Sequence, residues 1–274
     1  VSRAQSYKQS GNSIVVDVLM FIMSSILDCY DFDLDLAGDV PAEGKIDIDA
    51  VNIEEHAGRE PVNYVLPPGV TRIIDSGQAQ ATQLNEQSMS LKVTNLDPGK
   101  SRAVYRNTSL DLRIYNRLQM FVHNEALIDD ATSLNDGDIS LFVRLGSDVK
   151  NNYYEYEIPL EVTPEGKYSD RYSVWPANNM LDCDLDIFPE VKKQRNAEKL
   201  QESSGVSYNR RYTVPDPNRK GCTVTVIGNP SISDVRVIII GIKNKAATTK
   251  NCNVWVNELR VTDFNNSGGW AAKA

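Results

Sequence analysis

From Gln87 onward, apolar and polar residues alternate with a period of two, and this pattern restricts the fold more than any other feature of the sequence. In the segment SMSLKVTNL, Met89, Leu91 and Val93 alternate with polar residues, and the segments QMFVH, DISLFVRLG and YYEYEIPL follow with the same period. Successive side chains of a β-strand point to opposite faces, so each segment is predicted to be a strand with one buried face.

These segments are short and are separated by turn sequences, among them DPG, NDG and PEG. The C-terminal part adds CTVTVIG, DVRVIIIGIKN and NVWVNELRVTDF. The second of these is apolar on both faces between Val237 and Ile240, as expected of a strand that is covered on both sides. Eight or nine strands over residues 88 to 264, without a regular alternation of strands and helices, predict a mainly β protein. Its predicted architecture is an antiparallel β-sandwich of jelly-roll type with one surface helix.

The one predicted helix runs from Pro189 to Ser203, with the sequence PEVKKQRNAEKLQES. Proline and glutamate both favour the first turn of a helix, because proline lacks an N–H that would be unpaired there and a carboxylate interacts favourably with the helix dipole. Val191, Ala197 and Leu200 form only a thin apolar stripe. We therefore expect a solvated helix that lies over a sheet edge.

The chain is predicted to contain three regions. Residues 1–87 hold short strand-like pieces and are expected to form an irregular β-rich region, residues 88–264 form the sandwich, and residues 265–274 are a linker to the rest of a parent chain. The longest apolar run, Ile14 to Leu27, is too short to span a bilayer and contains Asp17. We interpret it as a buried strand or core helix, and the whole chain as a soluble piece of a larger protein.

The sequence carries 29 basic and 37 acidic side chains, which gives a net charge of −8. A negative surface repels phosphate groups, so neither nucleic acid nor an anionic membrane surface is expected as a partner. The cysteines form no CxxC pair, which argues against a zinc site. They are interpreted as buried, small apolar residues, with a disulfide between Cys222 and Cys252 as the alternative. The four are Cys29, Cys183, Cys222 and Cys252.

The sequence contains no glycine-rich phosphate loop, no GxSxG motif and no HExxH motif. Two acidic runs, DCYDFDLDLAGD at 28–39 and LDCDLDIF at 181–188, have the composition of a calcium site or of a glycosidase carboxylate pair. Their acidic residues alternate with apolar ones, which favours the outward faces of strands instead. The protein is therefore predicted not to be an enzyme, and neither a cofactor nor a metal ion is expected.

Aromatic residues are concentrated between positions 153 and 175. Tyr153, Tyr168, Tyr172 and Trp175 are the candidate contacts for a ligand or partner, because closely spaced aromatic rings can form a platform that stacks on sugars. The alternative is packing within the sheet, where aromatic residues commonly pair across strands.

Two further residues are interpreted as parts of the scaffold. Trp255 is predicted to lie in the core and to share a strand face with Leu259 and Val261. His123 follows Phe121 on a strand face and has no partner histidine or cysteine nearby in the sequence, so it is predicted to be a hydrogen-bonded structural residue. The basic segment NRRYTVPDPNRKG is interpreted as a loop, with contact to an acidic partner as the alternative.

Seven segments between residues 85 and 274 carry a resemblance to a known family. They are NEQSMSLKVTNLDPGKSRAVYRN, LDLRIYNRLQMFVHNE, DGDISLFVRLGSDVKNNYYEYEIPL, WPANN, RYTVPDPNRKG, VIGNPSISDVRVIIIGIKN and CNVWVNELRVTDFNNSGGWAAKA. Together they resemble the SprA/Sov proteins, which are outer-membrane translocon proteins of the type IX secretion system in Bacteroidetes and are also needed for gliding.

The resemblance implies a very large transmembrane β-barrel that passes folded cargo through the outer membrane, with inserted soluble segments that cap the pore. The chain is then expected to be a non-enzymatic structural and interaction domain of the extracellular cap, with a periplasmic position as the competing placement. Its expected partners are other parts of the parent translocon barrel, accessory outer-membrane subunits and secreted cargo proteins. Contact with the membrane is expected only through the parent chain.

A second resemblance keeps another class of function open. The segment LDLRIYNRLQMFVH, and the pair VRVIIIGIKN and VWVNELRV, are similar to strands of carbohydrate-binding jelly rolls. A carbohydrate-binding module at the cell surface is therefore the alternative function, although a shared fold does not establish sugar binding. A glycosidase would require two carboxylates that face each other across a cleft.

Overall fold

The structure is a computed structural model that describes residues 14–15, 44–72, 74–75, 82–83, 86–128, 130–201 and 203–264. These residues form fourteen strands and three helices. The strands are β1 (Ile14–Val15), β2 (Lys45–Asn52), β3 (Ile74–Asp75), β4 (Thr82–Gln83), β5 (Gln87–Leu96), β6 (Ser101–Leu110), β7 (Tyr115–Glu125), β8 (Ile139–Gly146), β9 (Tyr153–Pro159), β10 (Leu181–Asp184), β11 (Tyr212–Pro215), β12 (Thr223–Ile227), β13 (Val235–Asn244) and β14 (Lys250–Phe264). The helices are α1 (Ile53–His56), α2 (Arg171–Val174) and α3 (Ile187–Lys199).

Most of the strands belong to two antiparallel sheets. The first sheet has the order β10-β7-β14-β5-β2, with β1 paired to β14, and the second has the order β11-β12-β9-β8-β13-β6. The short strands β3 and β4 pair with each other. The prediction of a mainly β, antiparallel sandwich is confirmed, with ten strands from β5 to β14 where eight or nine were expected. The jelly-roll connectivity stays a prediction.

The main core lies between the two sheets and follows the period-two pattern. Met89, Leu91 and Val93 of β5 are fully buried, as predicted, and pack with Tyr154 and Tyr156 of β9 in one apolar cluster. Burial of a large apolar side chain contributes about 1.5–3 kcal/mol, so this cluster supplies the main driving force for joining the sheets. Both faces of β13 are buried between residues 237 and 240, again as predicted.

Strand β14 changes the face that it presents to the core. The pairing of β14 with β7 shifts between Asn257 and Arg260, where β14 contains one residue more than its partner, a β-bulge. Trp255 is buried, as predicted, but it lies on the outer face of the first sheet, whereas Leu259 and Val261 face the core between the sheets. The prediction that these three residues share a face was wrong, because a bulge inverts the alternation.

Helix α3 begins two residues before Pro189 and ends at Lys199. Pro189 lies in the first turn, where its missing N–H removes no helical hydrogen bond. The predicted apolar stripe was only partly correct, because Ala197 and Leu200 are exposed. Val191 is buried, together with Ile187, Phe188 and Arg195. The helix packs against β12, and the ring of Phe188 lies 5.2 Å from that of Tyr154.

The sandwich extends toward the N-terminus beyond the predicted boundary at residues 87 and 88. Strand β2 pairs with β5 from Lys45 to Asn52, so this part of the N-terminal region completes an edge of the first sheet. Of the apolar run, the structure describes Ile14 and Val15, which pair with β14. The rest of that run and the predicted linker at 265–274 lie outside the described residues. No helix in the described part of the chain is long and apolar enough to span a bilayer.

The three cysteines in the described ranges, Cys183, Cys222 and Cys252, are buried free thiols, as the preferred interpretation predicted. A Cys222–Cys252 disulfide is therefore not formed. Burial raises the pKa of all three thiols, that of Cys252 to about 12. Cys29 lies outside the described residues.

Candidate functional site

The second acidic run lies only partly on a strand: Asp182 and Asp184 are on β10, as predicted, but Asp186 is the N-terminal cap residue of α3. Asp184 and Asp186 are exposed and Asp182 is half-buried, whereas the apolar residues between them are buried. No group of three or more histidine, cysteine or acidic side chains that could hold a metal ion occurs within the described ranges. The first acidic run, at 28–39, lies outside the described residues.

The four candidate aromatic residues do not form one platform. Tyr153 is buried on the outer face of the second sheet, where Arg211 donates a hydrogen bond of 3.0 Å to its hydroxyl group. Trp175 is buried over the outer face of the first sheet, and the half-buried Tyr168 packs beside the same apolar cluster. Tyr172 is 67% exposed and is the one member of the four that is freely available to a partner.

The outer face of the first sheet is covered by the segment 57–72, here named the strap. Tyr64 of the strap is fully buried, and its ring lies 5.7 Å from that of Trp255 and 6.1 Å from that of Trp175. Phe121 of β7 completes this aromatic cluster, 6.5 Å from Trp175. Phe121 and Trp255 lie on this face by the alternation along β7 and along β14 before its bulge, and both pack in one apolar cluster with residues of the strap.

A polar centre lies beneath the strap. His123, Glu125 and Asn253 on the sheet are buried, and Arg59 of the strap forms a two-pronged ion pair with Glu125. Asn253 donates a hydrogen bond of 2.9 Å to the Glu125 carboxylate, and Nε2 of His123 lies 3.5 Å from it. The His123 ring stacks on Trp255 at 4.0 Å, and the Arg59 guanidinium lies 5.0 Å from the centre of the Trp255 ring.

The Glu125 carboxylate is kept ionised despite its burial. Burial alone would raise its pKa, but the contacts with His123 and Arg59 outweigh this and lower the pKa from the ordinary value. Nδ1 of His123 donates to the carbonyl oxygen of Val174 at 2.7 Å, which confirms that this histidine is a hydrogen-bonded structural residue. The centre therefore connects β7 both to the strap and to α2.

Further hydrogen bonds fasten the strap to the segment 168–175. Arg171 donates to the carbonyl oxygen of Val70 at 2.8 Å, and the indole N–H of Trp175 donates to that of Val65 at 2.8 Å. The Asn63 side chain donates to the Tyr168 carbonyl at 2.9 Å and accepts from its N–H at 2.6 Å. Two long connections are thereby held rigidly on one face of the sheet.

A second buried ionic cluster lies on the outer face of the second sheet. Glu155 of β9 is fully buried and accepts hydrogen bonds from Arg144, its neighbour on β8, and from Arg211. The Arg144 guanidinium lies 4.3 Å from the centre of the Tyr153 ring and 4.8 Å from that of Phe142. The burial of Glu155 would raise its pKa, but the two arginines lower it below the ordinary value.

Sequence reasoning missed both ionic clusters. The alternation of side chains along β7 places His123 and Glu125 on one face of the strand, and this was the sequence signal available for the first cluster. The contact of Arg59 with Glu125 joins residues that are 66 positions apart and depends on the path of the strap, which no local pattern reveals. Likewise, the pairing of Arg144 with Glu155 depends on the register of β8 against β9.

The fold and these clusters define a β-sandwich module in which buried charges and aromatic rings fasten long connections to the outer faces of the sheets. A family model described as a motility related/secretion protein, SprA_N, matches residues 25–274. The chain belongs to this family, and its role is accordingly related to motility and secretion. No curated protein matches the chain.

Proposed function

We propose that the chain is a non-enzymatic structural and interaction module of an outer-membrane type IX secretion translocon, where it forms part of the cap over the pore on the extracellular side. The observation that carries this proposal is the family match over residues 25–274. The module would contact other parts of its parent chain, accessory outer-membrane subunits and secreted cargo.

The packing of the outer faces supports an architectural role. A cap needs surfaces of fixed shape, and here the strap is attached to the first sheet by the Arg59–Glu125 ion pair and by an aromatic cluster around Trp255. His123 and Glu125, whose side-chain types often act as acids and bases, are buried and hold segments together.

The alternative, a carbohydrate-binding module, gains no support from the four aromatic positions. Tyr153 and Trp175 have 1% and 2% of their surface exposed, so neither ring has a free face for stacking on a sugar. They also lie on opposite outer faces of the sandwich, and this separation excludes one shared platform.

The placement can be tested by chemical labelling of whole cells. Tyr172→Cys introduces a thiol at an exposed position, and Cys29→Ser removes the native thiol that lies outside the described residues. With a membrane-impermeant maleimide and detection of the labelled peptide by mass spectrometry, an extracellular position predicts labelling of Cys at position 172 in intact cells. Labelling that requires a permeabilised outer membrane would place the module on the periplasmic side instead.

The role in secretion can be tested in the parent protein by deleting residues 86–264. We expect the deletion to reduce secretion of cargo while the parent chain is still detected in the outer membrane. Arg113→Ala, which removes an exposed arginine paired with Asp111, is the matched control and should secrete normally. Normal secretion by the deletion strain would contradict the proposed function.

A further inference from the structure

A cleft of about 380 Å³ lies beside β10, at the edge of the first sheet. Its walls include Arg117, Asp182 and Asp184 on one side, and Asp216 and Arg219, which follow β11, on the other. Its volume falls within the range of small-ligand sites in proteins, about 300–1,000 Å³. Met180 lines this cleft and also packs against the apolar cluster beneath the strap, but neither Arg59 nor Glu125 borders the cleft.

The edge of β10 that faces away from β7 is open. In the described part of the chain, β10 pairs with β7 and with no other strand. The N–H of Leu185 donates to the carbonyl oxygen of Asn116 at 2.8 Å, and the hydrogen-bonded positions alternate along an antiparallel pair. Cys183 therefore bonds toward β7, whereas the backbone N–H and C=O groups of Asp182 and Asp184 point to the open edge.

The side chains around the cleft carry an excess of negative charge. Three carboxylates, those of Asp182, Asp184 and Asp216, face two guanidinium groups, those of Arg117 and Arg219, which leaves one negative charge in excess. Arg117 is shared, at 2.8 Å from Asp182 and 3.3 Å from Asp184. A positively charged side chain placed near Asp182 and Asp184 would neutralise the remaining charge.

The opposite wall contains a hydrogen-bond donor without an acceptor. Nη2 of Arg219 donates to the carbonyl oxygen of Asn178 at 2.6 Å, but its Nη1 is buried and makes no hydrogen bond to any part of the chain that the structure describes. Because Nη1 is enclosed, a carbonyl oxygen of a bound backbone reaches it only when the Arg219 side chain rotates toward the cleft, and this rotation would also pair the donor.

From these observations we propose that the open edge of β10 and the adjacent cleft bind an extended, basic segment of a partner polypeptide. The segment adds to the first sheet as a further strand, its lysine or arginine side chains lie near Asp182 and Asp184, and one of its carbonyl oxygens accepts from Arg219. This inference rests on the proposed function only in that the partner is taken to be a protein.

The test uses the full 274-residue chain, labelled with ¹⁵N, and a seven-residue peptide of alternating lysine and threonine. Binding should shift the amide resonances of Asp182 and Asp184, and a matched peptide with glutamate in place of lysine should not bind. Asp184→Asn should weaken binding by up to about fivefold, which is the change in affinity expected when one partly exposed ion pair is lost. Asp184→Pro also removes an edge N–H, at a position where an edge strand tolerates proline, and should weaken binding by a further factor of about ten.

The control variant is Asp49→Asn on β2, which carries an exposed carboxylate at the opposite edge of the same sheet. It should bind the lysine peptide as the unchanged chain does. Equal binding of both peptides, equal effects of Asp49→Asn and Asp184→Asn, or no shift at Asp182 would each overturn the inference. The peptide-binding experiment uses the isolated chain and tests only the inference about β10. The labelling and secretion experiments test the proposed function, so failure of the inference is distinguishable from failure of the proposed function.

Discussion

The ion pair beneath the strap can be broken by a single substitution, Arg59→Ala. Arg59 contributes both prongs of the pair with Glu125 and also donates to the carbonyl oxygen of Val62 at 2.9 Å. Its removal leaves the Glu125 carboxylate buried, with Asn253 and His123 as its remaining neighbours. The substitution therefore creates an incompletely compensated charge inside the protein.

The structure allows the size of the effect to be estimated. The Glu125 side chain is completely buried, and removal of one partner from a buried ion pair costs about 3–5 kcal/mol. Loss of the Arg59 contact with the Trp255 ring, at 5.0 Å, is worth about 0.5–2 kcal/mol, but the two losses share one side chain and are not additive. We expect the free energy of unfolding to fall by about 3–5 kcal/mol, a large part of a typical stability of about 5–15 kcal/mol.

The assay is urea unfolding of the 274-residue chain, followed by far-UV circular dichroism and by tryptophan fluorescence, since Trp255 and Trp175 lie under the strap. A double variant, Arg59→Met with Glu125→Leu, replaces both charges by apolar groups and should recover most of the loss. Arg113→Ala is the matched control, because this arginine pairs with Asp111 on the surface, and it should leave the unfolding midpoint unchanged.

Two results would refute this reasoning. A loss smaller than about 1 kcal/mol for Arg59→Ala would equal that of an exposed pair and would mean that Glu125 is not enclosed by the strap. A double variant as unstable as Arg59→Ala would show that the cost comes from lost packing and not from the unpaired carboxylate.

Three further predictions concern other parts of the sandwich. The three buried cysteines should resist alkylation in the native chain at pH 8 and react in urea, as measured by mass spectrometry. Cys252 is the clearest case, because its pKa is raised to about 12 and its thiol therefore stays protonated at that pH. The pKa values of Glu125 and Glu155 are lowered in the folded chain, so the unfolded chain binds more protons at acidic pH. The free energy of unfolding, measured by urea titration, should therefore decline as the pH falls below about 4.3, whereas above pH 6 these two groups should contribute little further change. Gly241→Ala should cost about 1–3 kcal/mol by urea unfolding, because a Cβ there would overlap the buried ring of Phe142 on the neighbouring strand.

Each of these predictions has a clear contrary result. Alkylation of Cys252 in the native chain at the rate seen in urea would mean that it is not buried. Unfolding free energies that stay constant down to pH 3 would show that the two glutamates are not stabilised as carboxylates. An unchanged midpoint for Gly241→Ala would mean that the Phe142 ring moves aside freely.

The period-two alternation was sufficient to predict most of the strands and, outside β14, the faces that they bury. Tyr154 and Tyr156 face the core and Tyr153 faces outward, as the alternation along β9 requires, because a strand has no other way to place successive side chains. The helix near Pro189 was predicted with an error of a few residues at each end, since the proline and the first-turn glutamate are local signals.

The candidate site depended on contacts that no local pattern encodes. The bulge in β14 separated Trp255 from Leu259. Its trace in the sequence is a one-residue slip in the buried positions Val254, Val256, Leu259 and Val261, but Trp255 is itself apolar, so the pattern did not reveal which face it joined. The edge position of β10 follows from the order of strands in the sheet, so its open backbone groups could not be inferred from LDCD alone.

The sequence alone determined that this chain forms strands with defined inner and outer faces, because side-chain alternation is a property of neighbouring residues. Only the tertiary structure decided which outer face the strap covers and which charges meet beneath it. Arg59 and Glu125 come together because the strap folds back over β7, and contacts between residues so far apart depend on the whole path of the chain.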